Sequence, residues 1–262
     1  MSRPGRASAR ERLRQERERA ARRRQRNRVL IVVGSALGVI VIVIVIAVIV
    51  IVAIRPGSSS GTAGSPVHSA FYNGPFAPVT KNADHSVTMS QPAVKSPVLD
   101  IYEDFQCPIC DAFEKANGAV VQKLADQGKV RVIYHPFTIF LGEQPAQDNS
   151  VRAWAAAQCV PAGKWMEYHN LLYSNQPSER AQGGFPISLL LALGRKTGLT
   201  STSFTQCVSS QKYAPLAVPH SEQIIKSGIT GTPTVKLNGK TVSLSTLVEP
   251  GTALRKLILG SS

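Results

Sequence analysis

The sequence predicts an α/β domain with an inserted helical domain, preceded by one N-terminal transmembrane helix. Three observations predict it. An uncharged run from Val29 to Ile54 is dominated by Val and Ile. An apolar segment, Val98–Phe105, empties through Cys107-Pro108-Ile109-Cys110 into a helical pattern, and an alternating segment, Lys129–His135, follows. A stretch of helical spacing, about 147–228, then separates this unit from a late Asn238-Gly239 turn between two alternating runs.

Residues 1–28 hold twelve arginines against Glu11, Glu16 and Glu18, a local net of +9 within a chain net of +14. The following apolar run, 29–54, matches the roughly 20 residues that cross a bilayer core, with room for tilt. It exceeds the roughly 7–15 apolar residues of a cleavable signal, and Ala53-Ile54-Arg55-Pro56 is a poor cleavage site. Flanking arginines stay on the cytoplasmic side. The expected topology is a single-pass cell-membrane protein with a cytoplasmic N-terminus and an extracytoplasmic C-terminal domain. Nucleic-acid binding is the competing use of such a basic run. Orienting the span already accounts for the charge, so no nucleic acid is expected as a partner. Residues 55–83, rich in Gly, Ser, Pro and Ala, read as a flexible linker. Residues 84–262 have the size of one globular domain.

Within that domain, Ser86–Met89 reads as a short edge strand and Val98–Phe105 as a central one. Pro108 to about Gln127 reads as a helix, with Pro108 suited to its first turn and Gly128 stopping it. Lys129–His135 alternates and meets Pro136, giving a second strand. A β-α-β unit of this length implies parallel pairing. Ser150–Val160, Lys164–Ser174, Ile187–Thr197 and Ser203 to about Ser227 carry apolar residues at helical spacing. Thr234–Leu237 and Thr241–Leu244 flank Asn238-Gly239, a strong hairpin signal. A last helix is expected around Ala253–Leu259.

Cys107 and Cys110 lie three positions apart at the start of a helix. There the helix dipole and unpaired N–H groups stabilise a thiolate, as reversible disulfide chemistry requires. Cys107, preceding the helix, is the expected attacking or attacked sulfur, and Cys110, one turn in, the shielded resolving thiol. Outside the cytoplasm an even cysteine count favours disulfides. Cys159 and Cys207 remain as a structural disulfide, worth up to roughly 4 kcal/mol in the chain-entropy model; two buried free thiols are the alternative. A zinc site built from the four cysteines lacks the close ligand pairs such sites use. No metal ligand and no cofactor is assigned. His135 and His169 read as structural or surface residues.

The strand and helix order, Cys-Pro-x-Cys after the first central strand, and Gly231-Thr232-Pro233-Thr234 before the hairpin resemble the DsbA-like thiol-disulfide oxidoreductases of the thioredoxin-like superfamily. Glu103-Asp104-Phe105-Gln106-Cys107-Pro108 is similar to the run leading into that family's active site. The resemblance covers roughly 84–262 and implies a thioredoxin-like fold. It also implies that Pro233 is cis and that its loop faces the cysteines, with Thr232 offering backbone contact to an extended substrate. Base rates for X-Pro bonds favour the trans alternative. The familiar family dipeptide is Pro-His, whereas Pro108-Ile109 stands here, and Ile109 offers no charge or hydrogen bond. The acidic residue often found six positions before the first cysteine is replaced by Ile101. Glu103 and Asp104 are candidates for proton transfer in its place, and Asp104 equally for helix capping.

The resemblance implies an anchored disulfide oxidase acting on reduced exported proteins and recharged by a quinone-linked, DsbB- or VKOR-like membrane reoxidase. A reductase or isomerase on the same scaffold, and a non-enzymatic client-holding domain with an inert disulfide, are the alternatives. Envelope isomerases of this type carry a dimerisation domain, which the 55–83 segment is too short and too polar to be, so a monomer is expected.

Overall fold

A computed structural model describes residues 68, 70–248 and 251–260. The arginine-rich segment, the Val29–Ile54 run and residues 55–67 lie outside the described residues. Among those that are described, no helix is long and apolar enough to cross a membrane.

One six-stranded sheet organises the domain. Its strands are β1 (Val79–Lys81), β2 (Val87–Met89), β3 (Val98–Glu103), β4 (Arg131–Pro136), β5 (Thr234–Leu237) and β6 (Lys240–Thr241), in the spatial order β1-β2-β4-β3-β5-β6. β3 and β4 pair in parallel, from Val98 opposite Arg131 to Glu103 opposite Pro136, and every other neighbouring pair is antiparallel. The parallel pair is the one joined by a helical crossover, since a short hairpin cannot reverse the chain twice. Period-two alternation puts Leu99, Ile101 and Glu103 of β3 on the same buried face as Val132 and Tyr134 of β4. Apolar packing fills that face up to Glu103, a carboxylate with no exposed surface. On the other face, Asp100 pairs with His135 at 3.0 Å and Tyr102 stacks on the same imidazole.

The crossover starts with α1 (Pro108–Phe113), passes through a π-helical turn (Glu114–Gly118) and ends with α2 (Ala119–Asp126). Gly128, at φ 67°, supplies the left-handed residue that ends it. The inserted helices are α3 (Ala146–Gln158), α4 (Ala162–Ser174), α5 (Ile187–Lys196), α6 (Thr202–Ser209) and α7 (Ala214–Lys226). Helix α8 (Leu244–Val248) and helix α9 (Thr252–Gly260) follow β6. Asn238 and Gly239 both take positive φ, as the hairpin turn between β5 and β6 demands.

The sequence expectation fails at four places, the first being the edge position expected for Ser86–Met89, since β2 lies between β1 and β4. The reading of 55–83 as a free linker misses β1, which pairs with β2 along Val79–Met89 to Lys81–Val87. Lys81 Nζ donates to the carbonyls of Gln158 and Val160 at the C-terminal end of α3, where a cation satisfies orphan acceptors. Further back, His68 and Asn175 exchange hydrogen bonds, and Asn170 Nδ2 donates to the Tyr72 carbonyl. The single helix expected over 203–227 is two, broken around Gln211, whose φ is +50°. Of the strand expected at Thr241–Leu244 only Thr241 belongs to β6, and Leu244 already opens α8. The Ser243 hydroxyl and carbonyl engage Thr246, so the chain turns into α8 instead.

Candidate active site

β3 delivers the chain to the redox helix. Cys107 is the N-cap residue of α1, with extended backbone (φ −74°, ψ 120°) and Pro108 in the first turn. No side chain caps this helix, so its first N–H groups are free to face the cysteine sulfurs. Both thiols are free: Cys107 keeps 6% of its surface exposed and Cys110 none. Ile109, between them, is 48% exposed and gives the site an apolar rim.

The two sulfurs differ in electrostatics more than in position. The Cys107 pKa falls from 9.0 to about 6, chiefly through a hydrogen bond from the Cys110 thiol. Burial opposes this, and the Thr232 hydroxyl and the backbone N–H groups of Cys110 and Ile109 add to it. Cys107 Sγ lies 3.5 Å from the Thr232 carbonyl, to which only the protonated thiol can donate. The Thr232 hydroxyl is buried and otherwise unpartnered, which leaves it available as a donor to the thiolate. Cys110 is driven the opposite way, well above the ordinary thiol range, first by burial and then by its donation to Cys107. A shift from 9.0 to about 6 corresponds to about 4 kcal/mol in favour of the Cys107 thiolate.

Pro233 follows a cis peptide bond from Thr232 and precedes β5. The loop therefore reaches Cys107 from the strand next to β3 in the sheet.

Asp104 is buried behind the cysteines. Its Oδ1 accepts from Gln106 N (2.8 Å) and Ser150 Oγ (2.6 Å), and its Oδ2 from Ile139 N (2.9 Å). Ser150 also bonds Thr138 Oγ1. Asp104 therefore braces the strand exit against α3 rather than capping α1. Burial dominates its titration and pushes it up to about 7. Glu103 pairs with His169 at 3.0 Å, both without exposed surface.

Two glutamines that sequence reasoning missed hold the active-site turn. Gln176 Nε2 donates to the carbonyls of Phe105 (2.9 Å) and Cys107 (3.0 Å), and Gln106 Nε2 donates to the Pro177 carbonyl (2.8 Å). The segment after α4 thus clamps the loop before α1. Only the Gln beside Cys107 and the polar Asn175-Gln176-Pro177 break hinted at it in the sequence. Away from the cysteines, Cys159 at the end of α3 is bonded to Cys207 in α6, with Cα atoms 5.8 Å apart.

Residues 87–255 match the family profile described as thioredoxin. The chain belongs to the thioredoxin family. Among solved thioredoxin-like structures, it is similar to the reduced disulfide bond oxidoreductase DsbG of Mycobacterium tuberculosis, at 32% identity and TM-score 0.54 over 66% of this chain and 83% of that one. Oxidised DsbA of the same organism matches at 32% identity and TM-score 0.53, over 71% and 93%. The thiol-disulfide oxidoreductase MdbA of Actinomyces oris matches at 25% identity and TM-score 0.57, over 68% and 89%. A search of curated protein sequences finds no match.

Proposed function

We propose that this chain is a membrane-anchored disulfide oxidase that passes its Cys107–Cys110 disulfide to reduced proteins exported across the membrane. That it is an enzyme of disulfide exchange follows from its thioredoxin membership, its DsbA-like structural neighbours and its paired thiols. The direction of exchange rests on one observation, the gathering of donors on Cys107 that pulls its pKa to about 6 while Cys110 goes up. Stabilising the reduced enzyme makes its disulfide the stronger oxidant.

The steps balance as follows. A substrate thiolate attacks Cys107 Sγ, a mixed disulfide forms, and the Cys107–Cys110 bond breaks. Cys110 leaves as a thiolate and takes up a proton, as its raised pKa requires. The substrate's second thiol loses a proton and attacks its own mixed sulfur, which releases Cys107 as a thiolate. Two electrons move from substrate to enzyme. The backbone beside Thr232 and Pro233 pairs with the extended substrate, and exposed Ile109 packs against its apolar side chains. A quinone-linked membrane reoxidase then removes the two electrons. The Val29–Ile54 run anchors the enzyme, with the arginines of 1–28 cytoplasmic, and the enzyme works as a monomer.

Ile109 favours one second reading, a reductase or isomerase, because it adds no hydrogen bond to the thiolate. Equilibrating the full chain with glutathione buffers separates the two. A Cys107–Cys110 potential near or above that of the glutathione pool supports the oxidase. A strongly negative potential selects the reductase, and no measurable exchange overturns both.

A further inference from the structure

Behind the redox helix, three buried side chains from three different elements converge. Glu103 ends β3, Glu114 opens the π-helical turn one helical turn beyond Cys110, and His169 lies on α4. None has exposed surface, and one ligand atom from each lies within 4.8 Å of the other two. His169 Nε2 is 3.0 Å from Glu103 Oε1 and 3.3 Å from Oε2, and Tyr173 OH donates to Oε2 at 3.2 Å. Both carboxyl oxygens of Glu114 are buried without a hydrogen-bond partner. The packing makes room for that carboxylate: a Cβ at Gly118 would stand 2.5 Å from Glu114 Oε2.

The hydrogen bonds around His169 fix which nitrogen faces the carboxylates and in what state. Asn170 Nδ2 must donate to the Tyr72 carbonyl (3.2 Å), and it also donates to Gln122 Oε1 (2.8 Å). Asn170 Oδ1 therefore accepts, from Gln122 Nε2 and from His169 Nδ1, each at 2.9 Å. With the proton on Nδ1, Nε2 points at Glu103, and a proton or a cation must lie between them. Tying the outer nitrogen of a histidine to an amide oxygen is also how proteins orient a metal-bound imidazole. A second proton on Nε2 would satisfy Glu103 but leave Glu114, whether anion or neutral acid, without a hydrogen-bond partner, a costly state for a buried carboxyl. A divalent cation satisfies all three groups at once, and its two charges cancel the two carboxylates.

We propose that Glu103, Glu114 and His169 hold one divalent transition-metal ion, of the zinc class that imidazole and carboxylate ligands select. Ligands about 2.0–2.2 Å from zinc stand roughly 3.3–3.6 Å apart in a tetrahedron, and Nε2 and Glu103 Oε2, 3.3 Å apart, already have that spacing. Glu114, with a carboxylate oxygen within 4.8 Å of both, reaches it by a side-chain movement. The Tyr134 hydroxyl is also buried without a hydrogen-bond partner, on a ring 5.0 Å from the imidazole. Such an ion ties the central strand, the redox helix and the inserted helices together at one point. It is distinct from any zinc held by the cysteines.

The test uses the full-length chain with Cys107→Ala and Cys110→Ala, so that no free thiol can capture metal. The protein is produced in zinc-supplemented medium to load the ion during folding, purified in detergent and washed with chelator. Plasma mass spectrometry should then find about one zinc per chain. Zinc-edge X-ray absorption should show nitrogen and oxygen ligands, one of them imidazole, and no sulfur. Adding Glu114→Gln should lower the zinc content at least tenfold while cooperative melting and the Cys159–Cys207 bond persist. A parent chain without zinc, zinc retained at full level in the folded Glu114→Gln variant, or a shell without imidazole overturns the proposal. Should that variant not fold, the absorption spectrum of the parent decides alone. Because no redox cysteine is present, the result is independent of the oxidase reading.

Discussion

The two cysteine pairs of this molecule make an instructive contrast. Cys159 and Cys207 are bonded across two helices, and both are partly exposed. Cys107 and Cys110 are free, and both are buried. Exposure therefore runs opposite to reactivity, the working pair being the more buried one. The separation comes from donors: Cys107 collects hydrogen bonds from Cys110, Thr232 and the start of α1, whereas the 159–207 bridge joins a helix end to the middle of another helix. A sulfur becomes a good leaving group when its thiolate has somewhere to put its charge.

The largest effect should come from breaking the working pair. Cys107→Ala is expected to abolish exchange with a reduced model peptide. Cys110→Ala should instead accumulate mixed disulfides on Cys107, visible on non-reducing gels. A Cys110→Ala protein that traps nothing would contradict the assigned roles. Breaking the other pair should do the reverse. Cys159→Ser with Cys207→Ser should cost about 2–4 kcal/mol of stability in denaturant titrations, with exchange per folded molecule retained.

Between these extremes lies a pH effect that only the first pair can show. In the unfolded chain Cys107 titrates as an ordinary thiol near 9.0, and in the folded dithiol at about 6. A lowered pKa stabilises the fold only where the thiolate exists. The Cys107 contribution to the stability of the reduced protein relative to the oxidised one is therefore full at about pH 9, shrinks as the pH falls, and vanishes below 6, whereas above pH 9 the raised pKa of Cys110 works against it. At pH 7 it should amount to about 1.4 kcal/mol. Paired melting curves of the two redox forms across this window check it, and a flat difference would contradict it.

Smaller changes sharpen the contrast further. Thr232→Val removes the hydroxyl donor and should raise the Cys107 pKa by about one unit, or about 1.4 kcal/mol, read from alkylation rates against pH. Gln176→Leu leaves the Phe105 and Cys107 carbonyls short of a donor and should cost about 1–2 kcal/mol of stability, measured by denaturant titration.

What was legible in the sequence follows from the range of the forces involved. The β3–α1–β4 unit is written in local signals: alternation in Val98–Glu103, Pro108 in the first helical turn and Gly128 at the stop. The cysteine spacing is equally local. β1 was not legible, because Val79-Thr80-Lys81 has no strand signal beyond three residues and becomes a strand by pairing with β2. The break near Gln211 and the turn into α8 depend on tertiary packing and on hydroxyl hydrogen bonds that periodicity does not encode. At the site, the Gln176 clamp spans 69 residues in sequence to reach Cys107. Glu103 is legible as a candidate, and period two places it on the core face. Its pairing with His169 is not, because the match is made by the docking of α4.

The most direct test of the account is the ultraviolet titration of the Cys107 thiolate in the reduced full chain, with Cys107→Ala as the blank. The Cys107 thiolate should appear with a midpoint at about 6. A midpoint near 9.0, that of an unassisted thiol, would contradict it.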